Sequence, residues 1–113
     1  MDKIKKYQVA ILDFLNSYAK EVYGNDPSEI ETQVIADKEK HHYLLLRLGW
    51  SGHQHVHYCP FQFDIKNEKI WIQVNNSEEM VGDELIKRGV PKSAIVLAFH
   101  AKEMRQYTGF AIA

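Results

Sequence analysis

Apolar residues near the start of the chain recur at spacings of three and four. Ile4, Tyr7, Ile11, Phe14, Leu15, Tyr18 and Val22 fall on one stripe, with Lys5, Gln8, Asp13, Asn16 and Lys20 largely off it. That pattern predicts an amphipathic helix over Lys3–Tyr23, its apolar side buried against a sheet. Gly24 offers the positive φ of a helix end, and Asn25-Asp26-Pro27 blocks continuation. From Glu31 the period becomes two. Strands are predicted at Glu31–Asp37, His42–Trp50, His53–Lys66 and Lys69–Val74. In the second, Leu44, Leu46, Leu48 and Trp50 share one side and Tyr43, Leu45, Arg47 and Gly49 the other.

Ser51-Gly52 fits a tight hairpin turn with glycine supplying positive φ, and Lys66–Glu68 turns the chain again. Pro60 lies inside the third strand and removes a ladder donor, so an edge position or a bulge is expected near Cys59 and Pro60. Four successive strands joined by short turns are antiparallel neighbours. Asn75-Asn76-Ser77 then carries N-cap chemistry for a second helix over Glu78–Arg88. Glu78, Glu79, Asp83 and Glu84 stand near its start, Lys87 and Arg88 near its end. Gly89 closes it, and Pro91 opens a short turn through Ala94. Val96–Phe99 reads as a short strand or a buried extended segment, and Gly109–Ala113 as another.

The last residues, Phe110-Ala111-Ile112-Ala113, are unusually apolar for a chain end, which implies that they are tucked in. The expected architecture is one α+β domain over residues 1–113: N-terminal helix, four-stranded antiparallel meander, second helix and apolar C-terminal segment.

Composition narrows the class. The 113 residues, 45% hydrophobic and 26% charged, suit an ordinary globular domain. Fourteen Lys and Arg face fifteen Asp and Glu, spread over both halves, so no basic arm marks the chain for phosphate binding. The only cysteine, Cys59, excludes an internal disulfide and fits a reducing cytoplasm. No apolar run reaches the ~18 residues of a membrane-spanning helix.

Candidate chemistry is sparse. His53, His55 and His57 alternate on one predicted strand, with Cys59 next in line. Neighbouring imidazoles at about 6.8 Å tilt toward a common ion, but three along a straight strand span about 13.6 Å and need a further ligand from elsewhere. A solvent-facing polar stripe is the plainer reading. Cys59 and His57 form a thiol–base pair on paper, without a third orienting group; free cysteine is more often a small buried hydrophobe. Ser51, Ser77 and Ser93 lack an elbow motif, and the isolated glycines form no phosphate loop. Glu31, Asp37 and Asp64 sit at strand positions with nothing to pair them. Trp50, Trp71 and Tyr58 read as core. His100, Arg105 and Tyr107 make a polar cluster in the apolar C-terminal region, either tying that loop to the sheet or contacting a partner; Trp71 joins them as a candidate partner-binding residue. No catalytic, metal-binding or cofactor-binding set is assigned.

Several phrases, in order along nearly the whole chain, resemble the XisI-like family of fdxN-element excision controlling factors. They are Glu31-Thr32-Gln33; His42-Tyr43 with Leu45 leading into Gly49-Trp50; and Asp64-Ile65-Lys66 with Lys69-Ile70-Trp71-Ile72-Gln73. Gly89-Val90-Pro91-Lys92, Ile95-Val96-Leu97, Phe99-His100 and Tyr107-Thr108-Gly109-Phe110-Ala111 complete the set. The resemblance implies a small cytoplasmic bacterial protein, typical of cyanobacteria. It implies an accessory, non-enzymatic role in programmed DNA excision, with a companion XisH-type protein and a separate site-specific recombinase that does the strand chemistry. It transfers no catalytic residues. A homodimer is also expected. Two rival readings stay open: direct DNA binding by Lys87, Arg88, Lys92, Lys102 and Arg105 converging on one face, and a metal-dependent enzyme built on the histidine stripe.

Overall fold

The computed structural model describes residues 2–113. Helix α1 runs over Lys3–Tyr23; Asp2 caps it by accepting from the Ile4 amide at 3.0 Å. Gly24 ends it in the right-handed region (φ −61°), not with the expected positive φ: its amide still bonds Lys20 O at 3.1 Å. Strands β1 (Glu31–Asp37), β2 (His42–Ser51), β3 (Gln54–Lys66) and β4 (Lys69–Asn75) form the expected antiparallel meander. Helix α2 (Val81–Lys87) follows, then a 3-10 turn at Lys92–Ala94, strand β5 (Ile95–Leu97) and a 3-10 helix at Lys102–Tyr107.

The sheet has five strands in the order β1-β2-β3-β4-β5, and β5 pairs parallel to β4. The four-stranded, all-antiparallel expectation is therefore corrected to a mixed sheet. After β4 the chain crosses through α2 before returning, and a crossover of this length brings the next strand back in the same direction. The second extended segment is reduced to one parallel bridge, Ala111 to Val96, in which the Ala111 amide donates to Ile95 O at 2.9 Å. The segment is thus anchored at Ala111 along the outer side of β5, whereas Ile112, expected to be tucked in, is 52% exposed.

Helix α1 covers one face of the sheet. Tyr7, Ala10, Ile11, Phe14 and Leu15 meet Tyr43 and Leu45 of β2, Phe61, Phe63 and Ile65 of β3, and Ile70 and Ile72 of β4. Full burial of each such side chain is worth roughly 1.5–3 kcal/mol. Phe14 meets Phe61 edge-on at 5.2 Å between centroids, and Tyr18 meets Phe61 at 4.8 Å. Val22, placed on the apolar stripe by spacing, is half-exposed at the end of α1.

The bulge falls at Cys59 and Pro60. Leu45 pairs with Phe61 and Arg47 with Tyr58, so Leu46 stands opposite both residues. Asn76 satisfies the bulged carbonyls, donating its backbone N–H to Pro60 O at 2.9 Å and its side-chain amide to Cys59 O at 3.1 Å. Because β3 lies in the middle of the sheet, the proline is tolerated by bulging and not by an edge position. A second irregularity leaves Gln73 of β4 extra, between Ile72 and Val74. Gly52 takes the predicted positive φ (63°) in the β2–β3 hairpin, and Gly89 (93°) closes α2.

Among the described residues, no helix is long and apolar enough to cross a membrane.

Candidate partner-binding surface

The cavity with the most enclosed apolar floor opens where the C-terminal ends of β4 and β5 meet the start of α2. Its volume is about 310 Å³. Ile72, Leu97, Val81 and Phe110 form the floor; Met80 and Phe99 stand at its mouth. Both mouth residues reach solvent, Met80 at 69% exposure and Phe99 at 42%. Glu78, Glu79 and Asp83 surround them, and His100 is the sole basic residue on the wall.

Local sequence explains this shape. The polar run Asn75–Ser77 does not cap α2, which begins at Val81, later than predicted, behind an uncapped Met80. Its hydrogen bonds instead hold the approach loop open. Asn75 Oδ1 accepts from the Ser77 amide at 3.2 Å, Ser77 Oγ accepts from the Glu79 amide at 3.1 Å, and Asn75 Nδ2 donates to Glu79 O at 3.0 Å. That loop presents Glu78, Glu79 and Met80 outward. Gly82 admits the ring of Phe110, since a Cβ there would lie 2.6 Å from it. On the far side of α2, Arg88 bonds Asp13 of α1 at 2.7 Å and Glu84 at 3.2 Å, fixing the helix to the body. The Lys87 and Arg88 hydrogen bonds hold the Glu84 carboxyl below its usual range.

The four predicted partner-binding residues separate. His100 lines the groove, its ring 4.6 Å from that of Phe99. Arg105 turns inward, donating from Nε to His100 O at 3.2 Å and from a terminal nitrogen to Ala98 O at 3.5 Å. Its guanidinium carbon lies 5.5 Å from the Trp71 ring, on the opposite face of the sheet from α1. Trp71 is 8% exposed; its indole N–H donates to Lys66 O at 3.0 Å, and Lys66 Nζ lies 4.0 Å from its ring centroid. Arg105 and Trp71 therefore brace the C-terminal loop. Tyr107 stands exposed at the end of the 3-10 helix. The sequence reading missed Met80, Phe99 and Phe110; the signal for them was a glycine inside α2 and an apolar chain end needing a seat.

The cations of the DNA-binding reading are mostly engaged. Lys87 bonds Glu84 at 3.0 Å, Arg88 is held as above, and Lys92 Nζ sits 5.0 Å from the Phe110 ring centroid. The histidine stripe is shorter than predicted. His53 lies in the β2–β3 turn, while His55 and His57 are exposed on β3, His55 packing on Trp50 at 4.9 Å. Among the described residues, no three His, Cys, Asp or Glu side chains gather as for a metal ion. Cys59 is half-buried, its Sγ 3.0 Å from Phe61 O, and burial pushes its thiol up. Asp64, expected to stand alone, is bonded by His42 at 2.8 Å and Gln73 at 3.1 Å. Trp50 and Tyr58, read as core from sequence, are 56% and 43% exposed.

The profile of the XisI protein family matches residues 1–112. This chain belongs to the XisI family. It is similar to a XisI-like protein from Anabaena variabilis ATCC 29413 whose crystal structure superposes with a TM-score of 0.85 at 35% identity, covering 99% of this chain and 100% of that one. It is likewise similar to the fdxN element excision controlling factor XisI from the same organism, with a TM-score of 0.86 at 31% identity and the same coverage. No curated protein matches the chain. The XisI fold is thus the α+β arrangement above: leading helix, five-stranded mixed sheet and second helix.

Proposed function

We propose that this XisI family member is a non-enzymatic accessory factor in the programmed excision of a DNA element. In this reading it binds a companion XisH-type protein, and a separate site-specific recombinase performs the strand chemistry. The observation that carries the reading is the groove between α2 and the β4–β5 ends. Its apolar floor and exposed Met80 and Phe99 suit an anchoring side chain, and its acidic rim of Glu78, Glu79 and Asp83 suits a partner segment with lysine or arginine beside that anchor. The name of the Anabaena variabilis relative, a controlling factor for fdxN element excision, supplies the process.

The test is co-expression with an XisH-type protein, followed by affinity capture. A stoichiometric complex is expected, lost on Met80→Asp and weakened on Glu79→Lys, with both variants retaining the parent circular dichroism spectrum. No complex with the parent protein overturns the reading. A complex indifferent to both substitutions relocates the contact away from the groove.

A further inference from the structure

We propose that the open face of the sheet is the contact between two copies of this chain, packed face to face about a two-fold axis running along β2. A sheet covered by helices on one side normally turns polar residues to water on the other. Here the side opposite α1 carries Leu44, Leu46, Leu48 and Trp50 in one row along β2, with Ile35 of β1 paired beside Leu44. The three leucines are half-buried, while Ile35 and Trp50 are 38% and 56% exposed. This row runs about 20 Å, and among the described residues no helix is packed over it. Over β4 and β5 the same side is already closed: Arg105 and Lys66 cover Trp71, and Val96 is fully buried. The open area is therefore confined to β1, β2 and β3.

The register selects a second copy as the occupant. Glu31, Leu48 and His57 stand in one row across β1, β2 and β3, so an acid and an imidazole flank the apolar ridge at equal distance. A two-fold axis parallel to β2 lays each β1 over the partner's β3. It therefore sets Glu31 against His57 of the partner subunit, twice, while Leu46 meets Leu46 of the partner subunit near the axis. The same operation sets Asp37 against Asp64 of the partner subunit at the far end of the row. Asp37 is turned into its own loop, where it accepts from the amides of Glu39 and Lys40 at 3.1 and 2.9 Å, and Asp64 is engaged by His42 at 2.8 Å and Gln73 at 3.1 Å, so neither carboxylate is left facing the other unpartnered.

A two-fold axis across the strands would instead stack one C-terminal 3-10 helix on the other and hold the sheets apart. The axis along β2 carries each of those helices past the partner's β1, where the exposed Met104 and Tyr107 gain cover. The open area, about 14 Å by about 24 Å on each copy, gives roughly 700 Å² for the pair, below the ~1,200 Å² of a stable interface, so the contact is a weak one with a dissociation constant of tens of micromolar. The groove beside α2 lies on the other side of the sheet and stays accessible in both copies. Self-association therefore does not depend on the accessory role.

Sedimentation velocity from about 1 to about 200 µM protein at physiological salt tests this. The parent chain should pass from monomer to dimer across that range. Leu46→Arg should remain monomeric, and Val9→Arg, on the exposed side of α1, should dimerise like the parent. Glu31→Lys should raise the dissociation constant about tenfold; adding His57→Glu should recover most of the loss. The latter two positions are exposed, so they report on the interface even if Leu46→Arg fails to fold. A parent chain that is monomeric throughout overturns the proposal. So does dimerisation unchanged by Leu46→Arg in a folded protein, or a Glu31→Lys defect that His57→Glu deepens.

Discussion

The guanidinium carbon of Arg47 lies 4.0 Å from the ring centroid of Tyr23, so the last turn of α1 is fastened to the middle of β2 by a stacked cation. Arg47 is 5% exposed, on the same side of the sheet as the core. It donates to Thr32 Oγ1 at 2.6 Å and Ile30 O at 3.3 Å, and pairs with Asp26. One side chain thereby joins α1, β2, β1 and the loop between α1 and β1. Its Nε is buried without a partner, a cost the other contacts offset.

Arg47→Ala removes the ion pair, the stacking and the seal over that loop. Loss of one member of a fully buried pair costs about 3–5 kcal/mol, but the Asp26 carboxylate reaches water, so the expected cost is about 2–3 kcal/mol. Urea unfolding measures it. Arg47→Lys should recover less than half, because an ammonium cannot bond Asp26 and Thr32 in the plane stacked on Tyr23.

Gly82→Ala sets two effects against each other. Alanine favours the helix by about 1 kcal/mol, while the 2.6 Å approach of its Cβ to the Phe110 ring costs about 1–3 kcal/mol of overpacking. The single variant should be destabilised, with faster proteolysis after Lys102. In a Phe110→Ala background the same substitution should become stabilising. Thermal melts of the four proteins give the sign, and a stabilising effect in both backgrounds would contradict the packing.

Burial, reinforced by the interaction of its hydroxyl with that of Tyr58, pushes the Tyr23 hydroxyl up from 10.0 to about 12. The folded chain thus holds this proton more tightly than the unfolded one. The contribution to stability is complete below pH 10 and is lost as pH rises through about 12. Denaturant midpoints at alkaline pH should fall across that window, and the fall should be shallower in Tyr23→Phe. Tyr18 and Tyr43, also raised by burial, leave a residual slope.

Cys59 should react slowly with a disulfide reagent at neutral pH, since burial raises its thiol and the sulfur is turned toward Phe61 O. Modification followed by absorbance should speed up on adding urea through the unfolding transition. A fast reaction in the native state would revive a role for this thiol as a nucleophile.

The helix α1 and the meander were legible because spacing reports directly on which residues share a side. Spacing does not report which side is covered. Tyr43-Leu45-Arg47 and Leu44-Leu46-Leu48 look alike along the chain, and only the packing of α1 shows that the first set is interior. The late start of α2 was hidden because Asn75 and Ser77 have the chemistry of a cap and use it on a loop. Strand β5 spans three residues, too few for a period to show its parallel partner. The groove joins positions from Ile72 to Phe110, and no local pattern links residues that far apart. Of the two readings open for Arg105, its bonds to His100 O and Ala98 O fit the one that ties the loop to the sheet.

The bulge at Cys59 and Pro60 marks where this sheet can absorb an insertion or deletion. A chain lacking Pro60 would set one residue between Tyr58 and Phe61 opposite Leu46, a regular ladder in which both rings keep their inward aim. Loss of Gln62, two positions on, has no such slack and would reverse Phe63 and Ile65 relative to Phe61, turning aromatic core toward water. Changes of length in β3 among kin should therefore cluster at the bulge.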